Sequence, residues 1–505
     1  MDFLDNLLIA LSFSVQPENL LPCFIGAFIG TLVGVLPGLG PMATMSLLLP
    51  ITFKLSTAQS IIMLAGIYYG AQYGGSTTSI LMNIPGEAST VITCIDGYEM
   101  AKKGRAGAAL GISAMGSFIG GTAAVIMMTF LAPPLAEMAL KFGPPENASL
   151  MVLGVILVIY LSSGSMIKAL MMAAFGFLLG SIGSDLLSGS IRFSMGFRDL
   201  TDGVGLVPVV MGLFGISEVM LNIEESFRDR DFIKTTFRDL FPYKSEYLES
   251  VGPIARGTLF FFLGILPGGG AIIASIASYA LERKLSKTPE KFGTGYIKGV
   301  AGPETANNAA CMGAYVPLLT LGIPGNGVMG ILMGAFLIHG VAPGPLLLTT
   351  HPDIFWGVIG SMYMGNIMLL ILNLPLIGIW VRILRVPYKL LFPIILLICL
   401  IGSYSVNNSI FDVNLMVIFG IIGYLMKKFG YPGAPLVLAL ILGPMLERNM
   451  GQSVMMSNGS FMIFISRPIS AVLLMTTFVL LISPMILSLI RRKRVGLLIE
   501  GEEDN

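Results

Sequence analysis

The sequence is poor in charge and in cysteine. Only 12% of its 505 residues are charged, about half the share usual in soluble domains. Its net charge of +1 gives no reason to expect nucleic acid or another strongly charged partner. The four cysteines form no CxxC or Cys/His pattern, which argues against a zinc site and a disulfide framework; they are Cys23, Cys94, Cys311 and Cys399.

Motifs of common catalytic sites are also missing. The sequence has no GxSxG, HExxH or Walker loop, and "GILPGGG" at 264–270 lacks the Lys and Ser/Thr of a phosphate-binding loop. We therefore expect neither an enzyme nor ATP as energy source, and no cofactor besides a coupling ion. Asp2 and Asp5 stand where a signal peptide would be basic, so we expect the N-terminus to be retained.

What the sequence has instead is apolar length. Hydrophobic residues make up 54% of the chain, and the mean hydropathy is +0.83. Most apolar blocks approach the roughly 20 residues that span a bilayer as a helix. They lack the alternation of barrel strands, and backbone in lipid must satisfy its own hydrogen bonds. The sequence predicts an all-α polytopic membrane protein with about ten to fourteen membrane segments.

Two motifs occur twice in the same order. "GVLPGLGP" at 34–41 is echoed by "GILPGGGA" at 264–271, and "NIPGE" at 83–87 by "GIPGN" at 322–326. Ordered repetition of this kind indicates an internal duplication. We predict an N-terminal repeat in 1–222, a charged cytoplasmic linker in 223–253, a C-terminal repeat in 254–446, and an extra helix with a charged tail in 447–505.

Basic residues in short loops suggest that the two repeats are inverted. Lys and Arg cluster in 102–105, 283–298, 382–389 and 491–494, which favours the cytoplasmic side for these segments. Their counterparts around Lys54, in 339–353 and around Lys141 are poor in basic residues. An inverted repeat has this bias. Inversion requires an odd number of crossings per half, so we expect a broken segment not to cross.

The repeated Gly/Pro motifs predict helix breaks at membrane depth. Proline removes a hydrogen-bond donor and glycine frees the backbone, so "LPGLG" unwinds a helix. Unwound carbonyls can coordinate a cation, and the N-terminus of the following helix favours an anion. Paired broken helices in two halves are typical of a transporter site at the midplane. The alternative is that each break only permits close helix packing.

Polar residues gather around the second motif of each half. Hydroxyl and amide groups beside free backbone N–H groups could hold carboxylate oxygens, although such side chains also bond neighbouring helices. Glu87 either holds a coupling cation or caps a helix. The predicted carboxylate-binding residues are Gly74, Gly75, Ser76, Thr77, Asn83, Pro85 and Gly86, with Asn307, Asn308, Pro324, Gly325 and Asn326. The predicted cation-binding residues are Gly38, Gly40, Gly268, Gly270 and Glu87, with Na+ as the candidate metal.

Three classes of protein fit these features: a secondary transporter, a channel, and a membrane-embedded enzyme or scaffold. A channel more often builds its pore from an oligomeric ring, whereas duplication with paired broken helices favours alternating access. We therefore predict a secondary transporter, with a channel or facilitator as the alternative.

Long stretches of the sequence resemble a known family. "GVLPGLGPMATMSLLLP", "YYGAQYGGSTTSILMNIPGEAS", "DGYEMAKKGRAGAALGIS", "GILPGGGA" and "GPETANNAACMGAYVPLLTLGIPGN" are similar to the large membrane subunit of the tripartite tricarboxylate transporters, the TctA family. The resemblance covers almost the whole chain. The second break reads "PGGGA" rather than "PGLGP", so the two halves differ chemically and the sequence does not say which half binds the cation.

The resemblance implies a multi-pass protein of the bacterial inner membrane that imports citrate-like or other organic carboxylates, driven by Na+ or H+. It also implies two protein partners, a small membrane subunit of about four helices and a periplasmic substrate-binding protein, besides the membrane lipid. We expect the broken elements to move against the other helices in an elevator or rocking motion.

Overall fold

A computed structural model describes residues 3–36, 38–161, 165–185, 189–224, 237–268, 270–384 and 388–483. Nearly all regular structure in these ranges is helical. One short antiparallel pair of strands, Gly183–Ser184 (β1) and Ile191–Arg192 (β2), closes a loop between two helices. The predicted all-α fold is confirmed.

The helices of the first half vary widely in length. Two π-helical turns, Ala101–Arg105 and Met211–Ile216, join neighbouring helices. The α-helices are α1 (Phe3–Ser14), α2 (Pro17–Val35), α3 (Pro41–Thr52), α4 (Thr57–Met82), α5 (Thr93–Met100), α6 (Ala106–Ala139), α7 (Pro144–Leu161), α8 (Met166–Gly180), α9 (Leu206–Val210) and α10 (Ser217–Glu224).

The second half has the same mixture of lengths. Its helices are α11 (Lys244–Thr258), α12 (Phe261–Ile265), α13 (Gly270–Leu285), α14 (Lys298–Gly313), α15 (Tyr315–Leu321), α16 (Gly327–Ile338), α17 (Leu347–Thr350), α18 (Pro352–Asn373), α19 (Ile377–Ile383), α20 (Tyr388–Asn407), α21 (Ile410–Lys428), α22 (Gly433–Met456), α23 (Ile463–Ser466) and α24 (Pro468–Ser483).

Several helices are long and apolar enough to cross a membrane. Among the described residues six qualify by length and composition: Pro17–Val35, Thr93–Ala139, Leu206–Glu224, Lys244–Ile265, Pro352–Asn373 and Ile410–Lys428. Shorter apolar helices accompany them, among them α3, α8 and α16. The chain is a polytopic membrane protein, as predicted, whereas the number of crossings stays a prediction.

A stripe of glycines joins α2 to α4. A side chain on any of these glycines would run into the backbone of the other helix, so the two helices pack almost backbone to backbone. The facing pairs, in the same order along both helices, are Gly26 with Gly66, Gly30 with Gly70, and Gly34 with Gly74. The order makes α2 parallel to α4. Because α3 returns to the start of α4 through 53–56, α2 and α3 form a hairpin with its tip at 36–40.

The second half contains a hairpin of the same kind. A Cβ on Gly257 would lie 2.8 Å from Thr305 Cβ, and one on Gly264 would lie 2.6 Å from Ala310 Cα. The order again makes the first arm, α11 and α12, parallel to α14. The second arm is α13, and the tip spans 266–269, of which Gly269 lies outside the described residues. Inversion of the halves and re-entry of the hairpins stay predictions.

Contacts between loops agree with the predicted sidedness. Lys103 Nζ donates to Thr294 O at 2.5 Å, so the basic segments 102–105 and 283–298 share one face. At another face His339 Nε2 lies 3.1 Å from Thr52 Oγ1. Partial burial lowers the pKa of His339, and this favours the neutral ring at pH 7.

The predicted domain boundaries stay untested. Residues 253 and 254 both fall within α11, and 446 and 447 both fall within α22. Residues 225–236 of the predicted linker and the basic cluster at 491–494 lie outside the described residues.

Replacing Gly70 by Ala is expected to destabilise the protein. The new Cβ would stand 2.7 Å from Ala27 O and 3.1 Å from Gly30 Cα, and neither backbone atom can move aside cheaply. Overpacking of this kind costs about 1–3 kcal/mol, which a lower thermal midpoint of the purified protein would reveal. Gly378→Ala is the matched control, because a Cβ there meets no atom within 4 Å. Equal midpoints for the two variants would contradict the close α2–α4 contact.

Candidate functional site

The first repeated motif breaks the chain between α2 and α3. The tip of this hairpin needs glycine, because Gly38 has φ +96° and Gly40 has φ +32°. Pro41 stands in the first turn of α3, where a missing backbone N–H and a fixed φ suit the start of a helix. Pro37 lies outside the described residues. The break leaves the N-terminal N–H groups of the twelve-residue α3 without partners inside the helix.

The second motif breaks the chain after α4. Asn83, with φ 57°, ends the helix in the left-handed conformation, and Pro85 is exposed just beyond it. Gly86 packs so closely on α4 that a Cβ there would lie 2.7 Å from Gly75 Cα. Glu87 follows at the start of a short 3-10 turn, where the Thr90 hydroxyl donates to Glu87 O at 2.8 Å.

The two breaks of the first half meet at one cavity of about 330 Å³. Glu87 is its carboxylate nearest the breaks, and Lys427 is paired with Glu218 beside it. The lining residues are Gly38, Leu39, Gly40, Met42, Ala43, Pro85, Gly86, Glu87, Ala88, Phe214, Glu218 and Lys427. The residues that the sequence predicts at the breaks are therefore brought together, and α10 and α21 complete the wall.

The breaks of the second half also touch each other. Gly268, with φ +110°, donates its N–H to Gly325 O at 2.5 Å. Asn326 caps α16 by accepting from Met329 N at 2.9 Å. Pro324 is buried beside Gly325, and Gly270 begins α13. In this half the two motifs close on each other through a backbone hydrogen bond.

Two contacts join the last break of the second half to the first half, one at the middle of α4 and one at the first turn of α3. Asn326 Nδ2 donates to Tyr68 OH of α4 at 3.1 Å. Met42, which lines the first cavity, packs on Gly327 at the start of α16. All four breaks therefore belong to one connected region.

Four residues of the predicted carboxylate site lie elsewhere. Gly74, Gly75, Ser76 and Thr77 are buried inside the unbroken α4, and none of them is among the lining residues of the cavity. Gly74 packs on α2, whereas Ser76 Oγ lies 2.5 Å from Glu304 Oε2. Their geometry favours a role in packing and polar contact behind the cavity wall.

Asn307 and Asn308 also point into a buried polar cluster. Asn308 Nδ2 donates to Ser117 Oγ at 2.8 Å and to Asn307 Oδ1 at 2.6 Å, and both asparagines are fully buried. Their helix α14 carries Glu304 one turn earlier, which is likewise fully buried. Glu304 was given no role in the sequence analysis. The signal was the spacing of "ETANN", which puts Glu304, Asn307 and Asn308 on one helix face.

Sequence reasoning also missed the walls supplied by α10 and α21. Glu218 and Lys427 lie 209 residues apart in the chain and form an ion pair at the cavity. In the sequence, each residue resembles an ordinary charged residue near the end of an apolar helix. Only the packing of α10 on α21 brings them to Glu87.

Replacing Asp96 by Asn is expected to loosen the loop before α14. The Asp96 carboxylate, fully buried, accepts N–H groups of Gly293, Gly295 and Tyr296 at 2.8–3.0 Å and the Tyr279 hydroxyl at 2.8 Å. An amide keeps the shape and loses the charge that strengthens these bonds, at a cost of about 1.5–3 kcal/mol.

Hydrogen exchange at 293–296 measures this loosening. Glu99→Gln is the control, since Glu99 pairs only with the half-exposed Lys102 among the described residues. Exchange that is equally slow in Asp96→Asn and in the unchanged protein would show that the carboxylate does not hold the loop.

The chain is similar to a known family over most of its length. A model of the tripartite tricarboxylate transporter TctA family matches residues 20–438. An uncharacterised 52.8 kDa protein in the TAR-I ttuC' 3' region of Agrobacterium vitis is 48% identical over 503 residues, which cover 99% of this chain and 100% of that protein. An uncharacterised protein in the TAR-II ttuC' 3' region of the same organism is 48% identical over 240 residues, covering 48% of this chain and 99% of that protein. No solved structure matches the chain.

These matches agree with the helical architecture. The TctA match spans both halves and all four breaks. The resemblance noted in the sequence is confirmed, and the chain is a multi-pass membrane component of a tricarboxylate transporter. It belongs to the tripartite tricarboxylate transporter TctA family.

Proposed function

We propose that this subunit imports organic carboxylates by symport with a cation, Na+ or H+, through the cavity between the helix breaks. The observation that carries the proposal is the meeting of the "LPGLG" and "IPGE" breaks at one cavity of about 330 Å³. A volume of this size suits a small carboxylate, since ligand pockets start near 300 Å³.

The chemistry of the cavity fits an anion that travels with a cation. The N-terminus of α3 offers unpaired N–H groups and a partial positive charge to a carboxylate. The cavity's one basic side chain, Lys427, is paired with Glu218. A di- or tricarboxylate therefore needs a co-bound cation to balance its charge, and Glu87 with the carbonyls at 38–40 offers oxygen ligands for one.

Movement between two states would use the hairpins. Each hairpin bends at glycines with positive φ, and each rests on a long parallel helix through small residues. Small residues let the packed helices approach each other closely. We propose an elevator or rocking motion of the hairpins against the remaining helices, with alternating access to the cavity.

The proposal includes the partners that the family name implies. A tripartite system has two further components, and we propose a small four-helix membrane subunit and a periplasmic substrate-binding protein in the bacterial inner membrane system. Substrate choice would lie largely with the binding protein. A channel or facilitator without gradient coupling is the second candidate.

Uptake into proteoliposomes tests the proposal. The vesicles hold this chain and the small membrane subunit, and the binding protein with labelled citrate or another carboxylate is added outside under an imposed Na+ or H+ gradient. We expect accumulation that requires both the gradient and the binding protein. Equilibration without a gradient would identify a channel, and no movement of any carboxylate would refute the proposed function.

A further inference from the structure

Glu304 is a buried carboxyl group at the contact between the two halves. It lies on α14 of the second half and is fully buried. Three hydroxyls of the first half surround it. Ser76 Oγ of α4 lies 2.5 Å from Glu304 Oε2, and Ser113 Oγ of α6 lies 3.2 Å from the same oxygen. The third is the Thr93 hydroxyl of α5, which contacts Glu304 Oε1.

No cation balances this carboxyl group within the part of the chain that the structure describes. The ion pairs there do not include Glu304. The nearby guanidinium of Arg256 is committed to Glu282, with N–O distances of 2.6 and 2.7 Å. An ionised carboxylate that has neither a counter-charge nor backbone N–H donors is costly to bury, and this favours a bound proton or metal cation at Glu304.

Several other titratable groups lie on the helices packed around Glu304. Asp96 accepts three backbone N–H groups and the Tyr279 hydroxyl. Glu87 lines the cavity on the far side of α4. The groups on the surrounding elements are Tyr68, Tyr69 and Tyr73 on α4; Glu87 before α5; Cys94, Asp96, Tyr98 and Glu99 on α5; Glu137 on α6; Lys244, Glu246, Tyr247, Glu249 and Arg256 on α11; Tyr279, Glu282, Arg283 and Lys284 on α13; Lys298 and Cys311 on α14; and Tyr315 on α15.

The contact between Ser76 and Glu304 is a hydrogen bond, as a proton site requires. Hard cations hold oxygen ligands at about 2.3–2.6 Å, so neighbouring ligands in an octahedral shell are roughly 3.4 Å apart. Ser76 Oγ and Glu304 Oε2 are 2.5 Å apart, the length of a strong O–H···O hydrogen bond. Hydroxyl groups also suit both forms of the carboxyl group, because each can donate to the ionised form or accept from the neutral one.

A short connection leads from Glu304 to the cavity. Ser76 follows Gly75, and a Cβ on Gly75 would lie 3.0 Å from the Glu87 side chain. Thr93 opens α5, directly after the segment in which Thr90 bonds Glu87. A change in charge at Glu304 therefore alters the contact of α14 with the two elements that hold Glu87 in the cavity.

We propose that Glu304 is the proton-binding site that couples carboxylate uptake to a proton gradient. The inference rests on the proposed symport and names its ion and its residue. Water on one side supplies a proton to the carboxylate, the neutral acid then accompanies the loaded transporter through its conformational change, and the proton leaves to water on the other side. The three hydroxyls stabilise each form in turn.

The test compares net accumulation with exchange. Glu304→Gln imitates the neutral acid permanently. In proteoliposomes with the partner subunits we expect it to keep exchange of labelled for unlabelled citrate within about twofold, and to lose accumulation driven by a pH gradient. Glu137→Gln, at an exposed position of α6, is the matched control and should keep both activities. Full pH-driven accumulation in Glu304→Gln would overturn the proposal.

Two further measurements distinguish a failure of the proton site from a failure of the proposed transport function. Infrared difference spectra between high and low pH should contain a carboxylic-acid C=O band that is absent in Glu304→Gln, whether or not citrate is transported. Ser76→Ala keeps the carboxyl group but removes one of its hydrogen-bond partners. It should therefore shift the pH at which this band appears. A band unchanged in both variants overturns the proton site.

Absence of exchange and accumulation in the unchanged protein refutes the transport proposal instead. Accumulation driven by Na+ at equal pH and lost in Glu304→Gln would make the site a metal site and overturn the proton proposal.

Discussion

Replacing Glu87 by Gln is expected to lower gradient-driven carboxylate uptake roughly 10- to 100-fold. Glu87 lines the cavity at both breaks of the first half and has no ion-pair partner among the described residues. The substitution removes one charged ligand for the cation that balances the charge of the carboxylate in the cavity. The loss of a charge-assisted contact is worth about 1.5–3 kcal/mol, and each 1.4 kcal/mol is about tenfold.

The same variant decides between the two roles that the sequence allows for Glu87. If Glu87 only caps the short turn at 88–90, Glu87→Gln would lower the thermal midpoint and leave uptake per folded molecule unchanged. A cation ligand predicts the reverse. Glu18→Gln is the control, because Glu18 is exposed in the first turn of α2 and far in sequence from the cavity-lining residues. Uptake that is unchanged in Glu87→Gln would exclude Glu87 from the cation site.

Replacing Gly40 by Val is expected to abolish uptake while the protein still folds. Gly40 has φ +32°, a value that strains a β-branched residue by about 1–3 kcal/mol. Its Cβ would point to Glu87 Oε2 at 3.9 Å, so the valine would also occupy the cavity. Strain alone costs stability, whereas a filled cavity stops transport.

Gly459→Val separates these two effects. Gly459 has φ +92°, and a Cβ there meets no atom within 4 Å, so the control carries comparable backbone strain away from the cavity. The yield of purified protein and the rate of carboxylate uptake would be measured for both variants. We expect uptake to survive in Gly459→Val only. Full uptake in Gly40→Val would show that the first break does not line the transport path.

Local chemistry allowed the breaks to be predicted from the sequence. Gly and Pro act through their own backbone, so "LPGLG" and "IPGE" end helices wherever they stand. The positive φ of Gly38 and Gly40 and the position of Pro41 at the start of α3 agree with what these residue types favour. The apolar blocks likewise predicted helices, because lipid leaves the backbone few other structures.

Long-range contacts could not be predicted in this way. The partners of Glu304 are 191, 211 and 228 residues away along the chain, on three different helices. No local pattern reports which helix faces meet, and the polar run at 74–77 reads equally as a binding site or as packing. The structure places Gly74 against α2 and Ser76 against Glu304, behind the cavity wall.

Protection of a single cysteine at the cavity tests the central claim most directly. Ala88 lines the cavity and is exposed, so Ala88→Cys in a chain without its native cysteines offers one reactive thiol there. Its alkylation rate would be measured in the complex with the small membrane subunit, with Ser460→Cys, at an exposed loop position, as control. We predict that citrate or another transported carboxylate, together with the coupling cation, slows alkylation of Ala88→Cys and leaves Ser460→Cys unchanged. Equal rates with and without a carboxylate that the same complex transports would contradict a substrate site at the helix breaks.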